Sequence, residues 1–371
     1  MKFLRYVDWL LIVAVVPLLV FGLFTMKSLG GNDYFFNRQL VWIVISFAAF
    51  FLFMVLDWRL FKSSAVILTF YFSGVGLLII LAVVGHITRG AQSWFYIGPA
   101  ALEPVELIKF FLILLFAKYF SGRHVEIALS RHIVISFLYL AVPLVLVFLQ
   151  PDFGSAAILV FMWGSMLLFA GMTVRQVATL VVLGAVIGVV GWFGLLQPYQ
   201  KTRIITFLQP ERDPRGSGYH AIQAMIAVGS GGAWGKGVGY GTQSRLHFLP
   251  ESQTDFIFAA FTEEWGLIGA FFIFVAFALL FWRIIHISIR APDNFSKLFG
   301  LGFAFLLLGH IIIHVGMNVG LLPITGIGLP FMSYGGSFLV MLMASLGMLE
   351  SIAIRSSIKA YEDEGTLQLI S

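Results

Sequence analysis

Cysteine is absent from the chain, which excludes disulfides and thiolate metal sites alike. Charge is scarce too. Only 11% of the 371 residues are Asp, Glu, Lys or Arg, where soluble domains carry about 25%. There is no internal repeat, and no small-x-small cleavage site follows the first apolar run, which therefore reads as a span and not a signal peptide. What fills the chain instead is apolar surface, 60% of residues. These features exclude a soluble globular domain and leave an all-α polytopic membrane protein, one domain over residues 1–371.

Apolar runs long enough to span, about 17–25 residues each, fall at residues 7–25, 40–56, 64–84, 104–116, 133–149, 155–170, 174–196, 255–282, 298–321 and 336–354. The fourth is short unless it continues to Tyr119. Most basic residues, from Lys2 and Arg5 to Arg355 and Lys359, fall in one set of loops, while the short loops opposite hold only Lys27, Arg38 and Arg89. By the positive-inside rule both termini are cytoplasmic. The outer face then receives residues 86–106, residues 150–155 and a long polar loop, residues 198–254, too long for an idle connector. Within it, residues 218–227 (GYHAIQAMIA) place Ala221, Ile222, Met225 and Ile226 on one helical face, suiting a short helix in the membrane interface. Arg203, Arg212 and Arg215 flank it, either near anionic headgroups or as solvated loop charges.

Three outer segments deliver acids. Asp255, in LPESQTDFIF, opens the eighth apolar run, where a carboxylate costs roughly 2.5–3.5 kcal/mol at full depth and less near the interface. It reads either as a functional acid or, with Thr254, as a helix cap. Glu103, Pro104, Glu106 and Lys109 open the fourth run, Glu106 and Lys109 three apart on one face. Paired charges there point either to function or to a structural ion pair. Asp152, in QPDFGS, is a third acid or another cap. Gathered like charges leave one carboxyl poised to act as a general base. The Gly-rich run 229–241 fails the Walker pattern, since Gly237 follows Lys236, and reads as a flexible turn. His310 and His314 lack the HExxH context and read as hydrogen-bonded packing residues, with Asn318 extending their polar face. Gly184–Gly188 and Gly316–Gly320 read as close helix contacts.

Taken in order, LEPVELIK (102–109), QPDFGS (150–155), YQKTRI (199–204), DPRGSGYH (213–220), GSGGAWGKG (229–237), LPESQTDFIF (249–258) and GLLPITGIGLPFMSYGGS (320–337) resemble the SEDS family of shape, elongation, division and sporulation proteins. GTQSRLHFLPE (241–251) is most similar to the family's RodA branch, not its FtsW branch. The resemblance implies ten membrane helices and a glycosyltransferase that polymerises lipid II into peptidoglycan strands for cell elongation and rod shape. Asp255 would be the essential carboxylate, acting as general base, with Glu106, Lys109, Asp152, Arg203, Lys236, Glu251, Thr254 and Ser333 contacting substrate. Implied partners are lipid II, a class B penicillin-binding protein, other elongation-complex proteins and membrane lipids, with no nucleic acid. Charge on the departing pyrophosphate would be offset by Lys109, Arg203 and Lys236, or by a divalent cation, magnesium or manganese, on Asp152 or Glu106. The family usually has Gln-Pro-Ser-Glu where residues 103–106 read Glu-Pro-Val-Glu, an Arg at Ser93, an Asn at His314 and a second Ser at Phe338. A rival class, a lipid II flippase, would need polar groups reachable from both faces, whereas the intramembrane charges here cluster outward.

Overall fold

In the computed structural model the described residues are 7–29, 33–85, 94–97, 100–123, 130–195, 198–213, 216–246 and 248–370. The helices are α1 (Trp9–Ser28), α2 (Tyr34–Val55), α3 (Ser64–Val84), α4 (Pro104–Ser121), α5 (Ser130–Leu149), α6 (Phe153–Ala170), α7 (Val174–Val190), α8 (Pro198–Leu208), α9 (Ser217–Ser230), α10 (Thr242–Arg245), α11 (Ile257–Arg290), α12 (Asn294–Asn318) and α13 (Gly336–Ile370). An antiparallel hairpin, β1 (Phe95–Ile97) with β2 (Ala100–Leu102), precedes α4 and is the one departure from all-α among the described residues. Nine described helices are long and apolar enough to cross a membrane. The tenth expected span, α4, continues to Ser121 and is as apolar as some of these, but carries three charges, Glu106, Lys109 and Lys118.

Local chemistry sets the helix ends. Asp8, Asp152 and Asp293 cap α1, α6 and α12 by accepting Leu10 N–H (3.2 Å), Ser155 N–H (2.9 Å) and Ser296 N–H (3.1 Å). Pro104 takes the first position of α4, where its missing N–H costs nothing. Gly171, at φ 111°, closes α6 in the left-handed region.

Helices α4 and α12 form the centre and are apolar nearly all round, as buried helices are. Ile108, Leu112, Ile113 and Phe116 of α4 and Phe299, Phe303 and Leu306 of α12 have no exposed surface. Phe110 meets Phe299 edge-to-face at 6.1 Å. Around this pair α3 and α6 pack on the outside, α13 lies along α2, and α1 lies along α11. Helix α7 has no buried residue. Nothing lies within 4 Å of where a Cβ would sit on Gly184 or Gly188, so this pair makes no helix contact among the described residues. Gly316 abuts Leu322 of its own loop, and Gly320 is a left-handed residue beyond the helix end. Gly320 also makes a close helix contact, against Met225 of the loop helix α9 (Ser217–Ser230).

The eighth apolar run is not one helix. Gly266 has φ 67° and ψ −167°, which divides α11 into a nine-residue first part (257–265) and a second part (267–290). The Gly-rich run wraps the break. Lys236 and Gly237 donate N–H groups to the carbonyls of Glu263 (2.9 Å) and Glu264 (3.0 Å), and Leu267 N–H donates to Gly232 O (2.9 Å). The free carbonyls ending one helix and the free N–H groups opening the next are thereby satisfied. This run is a packed strap and not the flexible turn its composition suggests. A Cβ on Gly235 would sit 2.1 Å from Glu264 O, at φ +79°. Gly235→Ala should therefore destabilise by more than the ~1–2 kcal/mol of left-handed backbone alone. Gly232→Ala, at φ +55° with nothing within 4 Å, should cost only that backbone amount. Melting of the two variants in detergent measures the difference.

The long loop folds as α8, α9 and α10. Helix α9 forms where expected but docks a neighbouring face: Ala224 and Ala227 are buried against Leu249, Phe256, Ala259 and Ala260, while Met225 and Ile226 stay exposed.

Candidate active site

Asp255 lies one turn ahead of α11, not in it. Glu251 adopts φ 49°, and the N–H groups of Thr254, Asp255 and Phe256 all point at its carbonyl (3.1, 3.1 and 3.3 Å). The helix cap is Phe256, with no side-chain cap bond, so the cap position falls one residue beyond Asp255. The open N–H of Ala259 is taken by Asn318 Oδ1 (3.1 Å), and Asn318 Nδ2 donates to Asp255 O (3.0 Å) and His314 O (2.7 Å). Asn318 has no exposed surface. It pins the main chain of the Asp255 turn to α12 and leaves the half-buried carboxylate outside the clamp.

The loop of residues 320–335 closes the other side. Ser333 Oγ accepts Leu329 N–H (2.8 Å) and donates to Thr254 O (2.7 Å), while Tyr334 N–H donates to Gln253 O (2.9 Å). Gly326, at φ +78°, faces the acid: a Cβ there would lie 3.8 Å from Asp255 Oδ2. His314 Nδ1 bonds Ile327 O (2.7 Å) and His310 Nδ1 approaches Gly328 O (3.3 Å). Carbonyls only accept, so both rings carry their proton on Nδ1. His310 Nε2 is then free to accept from Lys109 Nζ at 3.4 Å, and Lys109 also donates to Glu106 Oε1 at 2.7 Å. Helix α6 meets the same loop, since a Cβ on Gly154 would touch Ile327 and Thr325 O. That places Asp152, which caps α6, within electrostatic reach of Glu103 and Glu106.

One loop thus joins the two polar groups. Asp255 faces residue 326 and Thr254 meets Ser333, while the Glu106, Lys109 and Asp152 group lies beside residues 325–328. Lys236 is not among them. Its ammonium binds Glu263 Oε1 (2.8 Å) and Thr242 Oγ1 (2.8 Å). Lys109 and Lys236 are therefore both ion-paired. The side chain of Arg203, with Arg89, Ser93 and Arg215, lies outside the described residues. Among the described residues no three His, Asp or Glu side chains form a metal-ligand group. The unusual Glu103 accepts from Trp94 Nε1 (3.3 Å), and its N–H donates to Ser337 Oγ (3.2 Å). Phe338 stacks on His310 at 4.6 Å.

Sequence reasoning missed Glu263 and Glu264. Glu263, with no exposed surface, also accepts the N–H groups of Gln243 (2.9 Å) and Ser244 (3.1 Å) and the Ser244 hydroxyl (2.9 Å). Glu264 accepts from Ser28 Oγ (2.6 Å) and Gly239 N–H (3.0 Å). The available signal was two adjacent acids inside an apolar run. Asn318 was visible as a polar residue, but its grip on Asp255 was not. Asn318→Ala should strip three hydrogen bonds and orphan Ala259 N–H, costing about 1–3 kcal/mol. Hydrogen exchange of residues 254–260 should rise relative to the rest of α11.

Comparison with known proteins agrees with this layout. The profile described as "Cell cycle protein", grouping FtsW, RodA and SpoVE, matches residues 2–358. The chain belongs to the FtsW/RodA/SpoVE family. Among relatives, the peptidoglycan glycosyltransferase MrdB of Escherichia coli (strain K12) is 36% identical over 349 residues, 94% of this chain and 93% of its own. Stage V sporulation protein E of Bacillus subtilis (strain 168) is 34% identical over 361 residues, 93% of this chain and 96% of its own. A chain solved in a peptidoglycan synthase complex that coordinates polymerization and crosslinking superposes with a TM-score of 0.82 at 29% identity, covering 94% of this chain and 98% of that one. The rod shape determining protein RodA of Thermus thermophilus gives a TM-score of 0.70 at 27% identity, covering 94% of this chain and 96% of that one. The family's all-helical membrane fold is the fold of this chain.

Proposed function

We propose that this family member is a peptidoglycan glycosyltransferase of the RodA branch, polymerising lipid II for cell elongation, with Asp255 as general base. The carrying observation is the main-chain clamp on the Asp255 turn: Asn318 and Ser333 hold the backbone at Asp255 and Thr254, which fixes the position from which the carboxylate projects. In the proposed step Asp255 takes the proton from the C4 hydroxyl of a lipid II GlcNAc. That oxygen forms a bond to the anomeric carbon of the growing strand, whose bond to undecaprenyl pyrophosphate breaks with inversion. A group rigidly held within hydrogen-bond reach suits this role, since general-base catalysis depends on geometry first. The protein would lie in the bacterial inner membrane with both termini cytoplasmic and the Asp255 end outward. A class B penicillin-binding protein is the proposed partner, a reading supported by the synthase complex that this chain resembles. Glu106, Lys109 and Asp152, beside residues 325–328 of the same loop, are the proposed substrate contacts nearest to it. The test supplies labelled lipid II to the purified protein, alone and with a class B penicillin-binding protein. Glycan strands are expected. A folded protein that makes none in either condition overturns the assignment.

A further inference from the structure

The end of the bundle opposite Asp255 carries a second polar cavity, of about 420 Å³, between the start of α1, the last turns of α11 and α13. It is lined by Asp8, Arg283, His286, Arg290, Ser356 and Ser357. We propose that it binds the phosphate of an anionic phospholipid in the leaflet away from Asp255. Asp8 is already committed: Oδ1 caps Leu10 N–H, and Oδ2 binds Arg283 through Nε (3.0 Å) and Nη2. Glu350, beneath it, accepts Asp8 N–H at 2.6 Å. Arg283 keeps its Nη1 edge for a second acceptor, and a guanidinium bridges two anions readily because its five donors are fixed in a fork. Arg290 is exposed and makes no ion pair among the described residues. His286 sits on the same helix face, between Arg283 and Arg290, as three- and four-residue spacings require.

The Ser356 and Ser357 hydroxyls now donate back to Ile352 O and Ala353 O. Either can turn to a phosphate oxygen without leaving its carbonyl unbonded, because the helix N–H remains on it. A lipid is favoured over a soluble phosphate by what flanks the cavity. Trp9, Leu10, Trp282 and Ile289 are exposed beside it, an apolar border where acyl chains would lie, with indoles at headgroup level. Basic pockets between helices at that level suit anionic headgroups.

The test is native mass spectrometry of the full chain in detergent, titrated with phosphatidylglycerol or phosphatidylcholine, and with inorganic phosphate as competitor. One phosphatidylglycerol should be retained in preference to phosphatidylcholine. Arg290→Gln should weaken that retention about fivefold, the effect of losing one basic group at a membrane surface. His286→Gln should weaken it too, and Arg175→Gln, at the same end on α7, should leave it unchanged. Equal retention of the two lipids, or wild-type retention by both Arg290→Gln and His286→Gln, overturns the site. Displacement of the lipid by inorganic phosphate overturns the lipid as its ligand.

Discussion

Asp255→Asn should abolish strand formation while the protein still folds and still binds lipid II. The substitution is isosteric, and the clamp grips main-chain atoms: Asn318 Nδ2 on Asp255 O and Ser333 Oγ on Thr254 O. Neither bond needs the carboxylate. What the amide loses is basicity, and a general base contributes about 10²–10⁴-fold. The rate should fall by that factor with the melting temperature held. Asp255→Ala should lose at least as much. Strand formation by Asp255→Asn at the wild-type rate would remove the base assignment while leaving the family membership untouched.

The second large effect is on stability. Lys109 has no exposed surface and Glu106 only 4%, and Glu106 Oε2 has no hydrogen-bond partner among the described residues. Lys109→Met leaves that carboxylate buried and unpaired, a loss of about 3–5 kcal/mol where a buried pair is broken from one side. Removing both charges is far milder, since the desolvation of two ions then also disappears. The double variant Glu106→Gln/Lys109→Met should therefore recover most of the lost melting temperature. Its activity separates two roles for the pair. If it polymerises normally, the ion pair is architectural; if it is stable but inactive, the pair acts on substrate. Failure of the double variant to recover stability would mean that Lys109 matters through His310 and the 320–335 loop, not through Glu106.

The spans were legible because hydropathy alone forces them. Charges in α4 shorten its apolar signal without shortening the helix, since Lys118 lies past the run. The resemblance pointed to Asp255, Glu106, Lys109 and Asp152, and three-dimensional packing joined them through one loop. The break at Gly266 was illegible. A single Gly in an apolar helical pattern is ordinarily tolerated, and what makes this one left-handed is Ala233 and Gly235, thirty residues upstream and close enough to contact it. The ion pair of Lys236 was illegible for the same reason, because its partner, Glu263, is brought to it only by that break. Asn318 and the two histidines read as packing from sequence, and they do pack; their hydrogen bonds to the turn and loop depend on which carbonyls the fold presents.

The break also changes what the bilayer demands of the acid. The second part of α11 has about 24 residues, roughly 36 Å of helix, enough by itself to cross a hydrocarbon core of about 30 Å. The fold therefore does not require Asp255 to sink into hydrocarbon, with the penalty that a carboxylate would meet there. Polar replacements between residues 257 and 265 should then be tolerated or rejected by protein packing alone, with insertion into the membrane indifferent to them.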